Sequence, residues 1–272
     1  MAGAFDLAAL TDLAGHWLLA LLVAMARPTL MLSVHALFTR LQLGAIVRGA
    51  VAAVLALPML PRIANLLPVG SGSDMTLMLL VGKEAVLGAV IGLPLSLPFW
   101  ALDVAGDIVD QQRGATQGRL NDPAGFEDVS ISGTLLLMTG VGLFVMTGGL
   151  TTIASLLYAS WGLWPALSAM PSPVPQAPAL ILGLLDAVLR QGLLLATPIL
   201  LAMLMADATI IMVGRFAPQL RIDDIATAAR NLVFYVFLPL YCGYLVLYVR
   251  QDQAVLPRMI DLVQRALPAT AP

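Results

Sequence analysis

Long, uninterrupted apolar runs constrain the fold of this chain more than any other feature. The run from Met75 to Leu102 contains only Lys83 and Glu84 as charged residues, and it exceeds the roughly 20 residues with which an α-helix crosses a bilayer. Hydrocarbon offers no water to pair with backbone amides and carbonyls, so only helices and closed barrels span it. Because the apolar residues are continuous rather than alternating, we predict an all-α protein of the integral membrane type.

The composition supports the membrane-protein class and argues against several kinds of function. Hydrophobic residues make up 60% of the chain and charged residues 11%, whereas a soluble domain carries about 25% charged residues. The net charge of −2 argues against a nucleic-acid partner, which would need clustered cations. A single cysteine, Cys242, rules out an internal disulfide. The sequence has no phosphate-binding loop, dinucleotide fingerprint, zinc spacing or nucleophile elbow, so we predict neither an enzyme nor a cofactor.

About six hydrophobic segments reach membrane length and should form kinked helical hairpins. We expect one domain with N-terminal helices (1–105), a polar loop (106–128), C-terminal helices (129–249) and a tail (250–272). Arginines in the tail place it in the cytoplasm by the positive-inside rule. Since proline lacks the amide that a helix interior requires, Arg27-Pro28 should interrupt the first segment. Pro198 should kink or divide the segment from Ala179 to Val213.

The polar loop is the longest polar interval in the chain, and the sequence at 121–125 predicts a turn within it, because Pro123 fixes one dihedral angle and Gly125 permits a positive φ. Three carboxylates near its start, Asp103, Asp107 and Asp110, share one helix face. Such a face can hold a divalent cation, because hard cations prefer carboxylate oxygens. A solvated acidic face is the more ordinary interpretation, and Arg113 is placed to pair with Asp110.

Buried charge is the second unusual feature. Lys83 and Glu84 lie in the middle of an apolar run, where an unpaired charge costs several kcal/mol. Adjacent helical residues point about 100° apart, so the two should not pair with each other. Each needs a partner on another helix, on another subunit or in water, unless this helix never lies deep in lipid. Asp207 also has no local partner. The spacing of Gly88 and Gly92 predicts a notch for close helix packing.

Two short motifs resemble a known family. The run Gly-Asp-Ile-Val-Asp-Gln-Gln-Arg-Gly-Ala from Gly106, the Asn-Asp-Pro at 121–123 and a small-residue-rich helix ending at 148–150 resemble the central part of the type III secretion export-apparatus family SctT (also YscT, SpaR or HrcT). The flagellar counterpart is FliR. The run Gly-Arg-Phe-Ala-Pro-Gln-Leu from Gly214 resembles a second family segment. Gly214 and Arg221 stand where the family commonly has Ala and Asn.

The resemblance implies a non-enzymatic, multi-pass subunit of a protein-export gate at the bacterial inner membrane. Its fold should be similar to an SctR-like unit fused to an SctS-like unit. The implied partners are SctR- and SctS-like subunits in a cone-like channel, SctU- and SctV-like neighbours, secreted polypeptides in transit and the lipid membrane. Within that assembly, the apolar helices are expected to lie largely above the bilayer plane.

The resemblance also implies roles for individual residues. The polar loop should act as a plug, flexible through its glycines and held closed by Gln112, Arg113 and Gly114, with Arg113 paired to a carboxylate across the pore. The plug residues are Gln111, Gln112, Arg113, Gly114, Gly118, Asn121, Asp122 and Pro123. The subunit-assembly residues are Lys83, Glu84, Asp207, Arg215, Phe216, Pro218 and Gln219.

Two other functions stay open on the residues alone. A stand-alone secondary transporter would also combine buried charges with proline-broken helices. A membrane-embedded enzyme would use the three carboxylates of the 103–110 helix face with a metal ion.

Overall fold

The computed structural model describes residues 7–41, 43–67, 74–114, 130–171, 174–175, 177–216 and 222–267. Nearly all of these residues are helical, and none of them lies in a β-strand. The helices are α1 (Leu7–Val34), α2 (Ala36–Arg40), α3 (Ala45–Ala56), α4 (Leu60–Leu66), α5 (Asp74–Arg113), α6 (Ile131–Met146), α7 (Gly149–Leu163), α8 (Ala177–Phe216) and α9 (Ile222–Ala266). A short 3-10 turn, Leu57–Met59, joins α3 to α4.

Several helices in the described part of the chain are long enough to cross a membrane. Five helical stretches there are long and apolar enough to cross a bilayer, and the bent pair α6–α7 makes a sixth if it counts as one span. The prediction of an all-α protein with about six long hydrophobic helices is therefore confirmed. The five stretches are Thr11–Val34, Ala45–Leu66, Met75–Arg113, Leu182–Phe216 and Ile225–Tyr248.

Proline shapes these helices less than the sequence predicts. The helix α1 continues through Pro28, so the expected interruption at Arg27-Pro28 is wrong, and α8 continues through Pro198 without division. One lost backbone hydrogen bond does not end a helix when the apolar surroundings offer the other backbone groups no alternative partner. The helix α9 likewise runs on to Ala266, so most of the predicted tail is helical.

A glycine stands at the break between α6 and α7. Gly148 there has a φ of +85°. Only glycine adopts this left-handed conformation at little cost. The hydroxyl of Thr147 donates to the carbonyl of Leu143 at 2.7 Å and so satisfies one of the last carbonyls of α6.

The chain divides into two compact units. The first unit comprises residues 1–96, 151–180 and 256–272, and the second comprises residues 97–150 and 181–255. In the first unit, α5 packs against α1 at the predicted glycine notch. A Cβ on Gly88 would lie 2.1 Å from the carbonyl oxygen of Arg27, and one on Gly92 would lie 2.7 Å from that of Met31. The notch prediction is confirmed, because the two backbones touch where side chains are absent.

The second unit has its own apolar core between α5, α6, α8 and α9. Phe234, Tyr241 and Leu245 of α9 pack there with Ile199 and Met203 of α8. The Tyr241 hydroxyl donates to the carbonyl of Leu195 at 2.6 Å, which satisfies a buried polar group within the core. Along the same unit, α5 and α6 cross so closely that a Cβ on Gly106 would lie 2.1 Å from the Cα of Gly133.

His35 is the buried titratable group at the junction of α1 and α2. Its imidazole Nδ1 accepts a hydrogen bond from the amide of Leu37 at 3.1 Å and so caps α2. The side chain is fully buried, and this burial lowers the pKa of His35 to about 4. The imidazole is therefore neutral at physiological pH and serves as a cap rather than as a charge.

Candidate functional site

The buried charges of the first unit form one cluster of Arg27, Lys83 and Glu84, which we call the charge cluster. The Arg27 guanidinium donates to Glu84 Oε1 at 3.0 Å, and its Nε lies 2.9 Å from Oε2. The Lys83 ammonium lies 3.0 Å from Glu84 Oε1. Arg27 and Glu84 are wholly buried. A single carboxylate thus holds two cations away from solvent.

Polar groups of α7 complete the surroundings of Arg27. Its Nη1 donates to the hydroxyl of Ser160 at 3.0 Å, and its Nη2 donates to the carbonyl of Trp164 at 2.8 Å. The guanidinium carbon also lies 5.3 Å from the ring centroid of Trp161, within the range of a cation–π interaction. Trp161 Nε1 donates to Glu84 Oε2 at 3.3 Å. The cluster therefore ties α1, α5 and α7 together through buried groups.

Lys83 closes the end of α7. Its ammonium donates to the carbonyls of Pro165 at 3.0 Å, Ala166 at 2.5 Å and Ser168 at 3.0 Å. These carbonyls follow the last turn of α7, where a cation is favoured by the helix dipole and by unpaired acceptors. The expectation that Lys83 and Glu84 do not pair is wrong. The long lysine stem folds back far enough for both charged groups to meet on one side of α5.

A second polar cluster lies in the second unit, at the end of α5 and the start of α6. Residues 106–113 of the predicted polar loop are the last turns of α5. We call this cluster the root network, made of Asp110, Arg113, Ser130, Ser132 and Asn231. Asp110 Oδ2 accepts from the Ser130 hydroxyl at 2.8 Å and from the Ser132 amide at 3.0 Å. Asp110 Oδ1 accepts from the Ser132 hydroxyl at 2.5 Å and pairs with Arg113 Nη1 at 3.2 Å. The predicted pairing of Asp110 with Arg113 is confirmed.

Arg113 joins this network to α9. Its Nη1 donates to the Ser132 hydroxyl at 2.8 Å, and its Nε donates to Asn231 Oδ1 at 2.9 Å. The guanidinium also lies 4.2 Å from the ring centroid of Phe234. Arg113 is buried, and its Nε and Nη1 bind groups of the same chain. That Arg113 pairs with a carboxylate across the pore stays a prediction.

An ion pair adjoins the root network. Arg230 Nε lies 3.0 Å from Asp207 Oδ1, and Arg230 Nη1 donates to the carbonyl of Gln112 at 2.9 Å. The Gln112 side-chain amide donates to Asp207 Oδ2 at 3.3 Å. Asp207 thus has in-chain partners on α5 and α9, and Arg230 satisfies a carbonyl in the last turn of α5.

The remaining predicted residues are more exposed or lie outside the described part of the chain. Gln111 and Gly114 are exposed at the end of α5, and Gly114 has a φ of +71°. Arg215 and Phe216 are exposed at the end of α8. The predicted plug residues Gly118, Asn121, Asp122 and Pro123, and the predicted assembly residues Pro218 and Gln219, lie outside the described residues.

Sequence reasoning gave no site role to five residues that the structure places in these clusters or in the ion pair beside the root network. They are Arg27, Ser130, Ser132, Arg230 and Asn231. Arg27 carried a usable signal, because a lone cation in an apolar segment needs a buried anion. The metal hypothesis gains no support, since the described residues contain no group of three or more His, Cys, Asp or Glu that could hold an ion.

Comparison with known proteins bears on what these clusters are for. The model of a family described as bacterial export proteins, family 1, matches residues 18–254. The chain belongs to this family. It is 35% identical to the Yop proteins translocation protein T of Yersinia pestis, over 73% of this chain and 76% of that protein.

Two further relatives widen the comparison. The chain is 31% identical to the surface presentation of antigens protein SpaR of Salmonella typhimurium, over 71% of this chain and 72% of SpaR. It is 28% identical to the flagellar biosynthetic protein FliR of Pectobacterium carotovorum, over 64% of each chain. The family assignment drawn from the two sequence motifs is therefore confirmed, and both polar clusters belong to a bacterial export protein with several membrane-length helices.

Proposed function

We propose that this chain is a subunit of the type III protein-export gate in the bacterial inner membrane, and that its polar loop is the plug of that gate. Family membership and the names of the relatives, which include translocation and secretion-apparatus proteins, support the export role. The observation that carries the plug proposal is the root network. It brings the end of α5 and the start of α6, between which the rest of the polar loop runs, to one buried point at Asp110.

A plug needs a fixed base and a polar body. The base is fixed because Asp110, in the last turn of α5, binds Ser130 and Ser132 at the start of α6. The body of the loop contains glycines and glutamines, which can hydrogen-bond in a wet pore without adding fixed charge. Secreted polypeptides would pass when this loop leaves the pore, and the chain itself supplies no energy for that movement.

The proposed partners are SctR- and SctS-like subunits, with SctU- and SctV-like proteins nearby. Large apolar side chains are exposed on α1, α8 and α9, for example Leu18, Leu182 and Leu232. Exposed apolar surface of this extent needs lipid or another subunit to cover it. We propose that neighbouring subunits cover much of it, and that this chain joins an SctR-like and an SctS-like portion.

The secondary-transporter alternative is less well supported. It rested on buried charges that seemed to lack partners, yet Lys83, Glu84 and Asp207 all have partners within the chain. A transporter needs buried polar groups that bind substrate, whereas these groups bind each other.

Deletion of residues 115–125 tests the plug. Bacteria carrying the assembled gate should then admit small ions through the inner membrane, and a potential-sensitive dye would report the loss of membrane potential. A replacement of the same length by glycine and serine serves as a matched control for loop length. Unchanged membrane potential in the deletion strain, with the subunit present at wild-type amount, would overturn the plug proposal.

Co-purification tests the assembly. The tagged chain, extracted from its native membrane in mild detergent, should bring SctR- and SctS-like proteins with it. If it is purified without them from cells that contain all three, it is not a subunit of this gate.

A further inference from the structure

Three separate stretches of the chain build the first unit. They are residues 1–96, 151–180 and 256–272. The third stretch includes the last turns of α9, which ends at Ala266. It is synthesised only after residues 181–255, which belong to the second unit. The first unit is therefore completed by a stretch that is made long after its other two parts.

A side-chain hydrogen bond links this third stretch to the end of α7. The Trp164 indole Nε1 donates to the carbonyl of Leu267 at 3.1 Å, across 103 positions of sequence. Trp164 is 2% exposed and Leu267 is 9% exposed. A buried indole N–H needs an acceptor, and the carbonyl of Leu267 follows the last turn of α9, where helix carbonyls lack an intrahelical partner. Each of the two groups thus satisfies the other.

Trp164 also contacts the charge cluster. Its carbonyl accepts from Arg27 Nη2 at 2.8 Å. Its amide donates to the carbonyl of Ser160 at 2.9 Å, and the Ser160 hydroxyl accepts from Arg27 Nη1. One residue therefore holds Arg27 through its backbone and Leu267 through its side chain. Without Leu267, a buried indole N–H would lack an acceptor beside Arg27 and Glu84, which are both wholly buried.

We infer that residues 256–267, which we call the clip, close the first unit on Trp164, so that the charge cluster becomes fully buried only after the chain has been synthesised past Leu267. Domains fold as units, and contacts between residues far apart in the sequence form late because their loop-closure entropy must be overcome first. A chain that stops before the clip should therefore leave Trp164 and Arg27 partly open to water.

Shortened chains test the clip. One chain ends at Val255 and lacks the clip, whereas the matched control ends at Pro268 and keeps the carbonyl of Leu267. In the same detergent, we expect the chain that ends at Val255 to unfold several degrees below the control, because the Trp164 indole has lost its acceptor. Equal unfolding midpoints for the two chains would overturn the inference.

Fluorescence quenching shows whether water reaches the cluster. The chain has four tryptophans, and replacing Trp17 and Trp100 by phenylalanine in both shortened chains restricts the emission to Trp161 and Trp164. Both of these indoles are 2% exposed. Acrylamide should quench the emission several-fold more strongly in the chain without the clip. Equal quenching in the two chains would show that the clip does not bury the cluster, and would overturn the inference.

Trp164→Phe in the chain of 272 residues tests the hydrogen bond itself. It removes the indole N–H but keeps an aromatic ring, and it should lower the unfolding midpoint. Trp17→Phe is the control, because Trp17 is 40% exposed on α1, and it should leave the midpoint nearly unchanged. In the chain that ends at Val255, Trp164→Phe should cause no further loss, because the acceptor is already absent.

An equal loss from Trp164→Phe with and without the clip would overturn the inference, since the indole would then act through another group. If the chain that ends at Val255 does not accumulate while the control does, Trp164→Phe in the chain of 272 residues decides. A midpoint loss no larger than that of Trp17→Phe would then overturn the inference, and a clearly larger loss would support it.

Discussion

Replacing Glu84 by glutamine should destabilise the first unit strongly. Glu84 is the one anion of the charge cluster, and it binds both Arg27 and Lys83. Glutamine keeps the shape of the side chain but leaves two cations without a counter-charge in a buried site. Removing one partner of a buried ion pair costs about 3–5 kcal/mol, because the other charge remains desolvated.

That cost is large compared with the whole stability of a protein. Native proteins are stable by about 5–15 kcal/mol, and each kcal/mol shifts the unfolding midpoint of a chain of this size by about 2–4 °C. We therefore expect Glu84→Gln to lower the midpoint by roughly 10 °C. Adding Arg27→Met should recover part of this loss, because it removes one of the stranded cations, while Lys83 keeps its three carbonyl acceptors.

Thermal unfolding of the purified chain in one detergent, followed by tryptophan fluorescence, measures these shifts. Trp161 contacts the cluster and reports its surroundings directly. Asp186→Asn removes an exposed carboxylate and is the matched control. The reasoning is refuted if Glu84→Gln shifts the midpoint no more than Asp186→Asn does. It is also refuted if the double variant with Arg27→Met is no more stable than Glu84→Gln.

Two further predictions concern helix contact and pH. Gly88→Ala should cost about 1–3 kcal/mol of stability, because its methyl group would meet the carbonyl oxygen of Arg27. Gly142→Ala is the control, because a methyl group there meets open space and should be neutral or stabilising. Equal unfolding midpoints for the two variants would contradict the observed contact. The pKa of His35 is lowered to about 4, below its unfolded value of about 6.5. Its contribution to stability is therefore complete above the unfolded pKa and is lost as pH falls towards the folded one. Between pH 7 and pH 5 the wild-type chain should lose about 2 kcal/mol more stability than His35→Asn, which keeps an acceptor for the Leu37 amide. Identical pH profiles of the two chains would show that burial does not lower the pKa of His35 in the folded state.

The class of fold follows from the sequence because its cause is local. A long apolar run must satisfy its own backbone groups, and a helix does so within the segment. The glycine notch at 88 and 92 is equally local, since its spacing places both residues on one helix face. The two motifs at 106–123 and 214–220 indicated the family. These features need no knowledge of which helices are neighbours.

The partners of the buried charges depended on the tertiary structure. Arg27 and Glu84 lie far apart in the sequence, and only the crossing of α1 with α5 brings them within 3.0 Å. Ser130 and Ser132 received no role from the sequence, yet the contact of Gly106 with Gly133 places them against Asp110. The sequence by itself thus determined that this is a helical membrane-type export protein with charges that need partners. Only the packing of the helices decided which groups meet, because a desolvated charge binds the groups that packing brings within hydrogen-bonding distance.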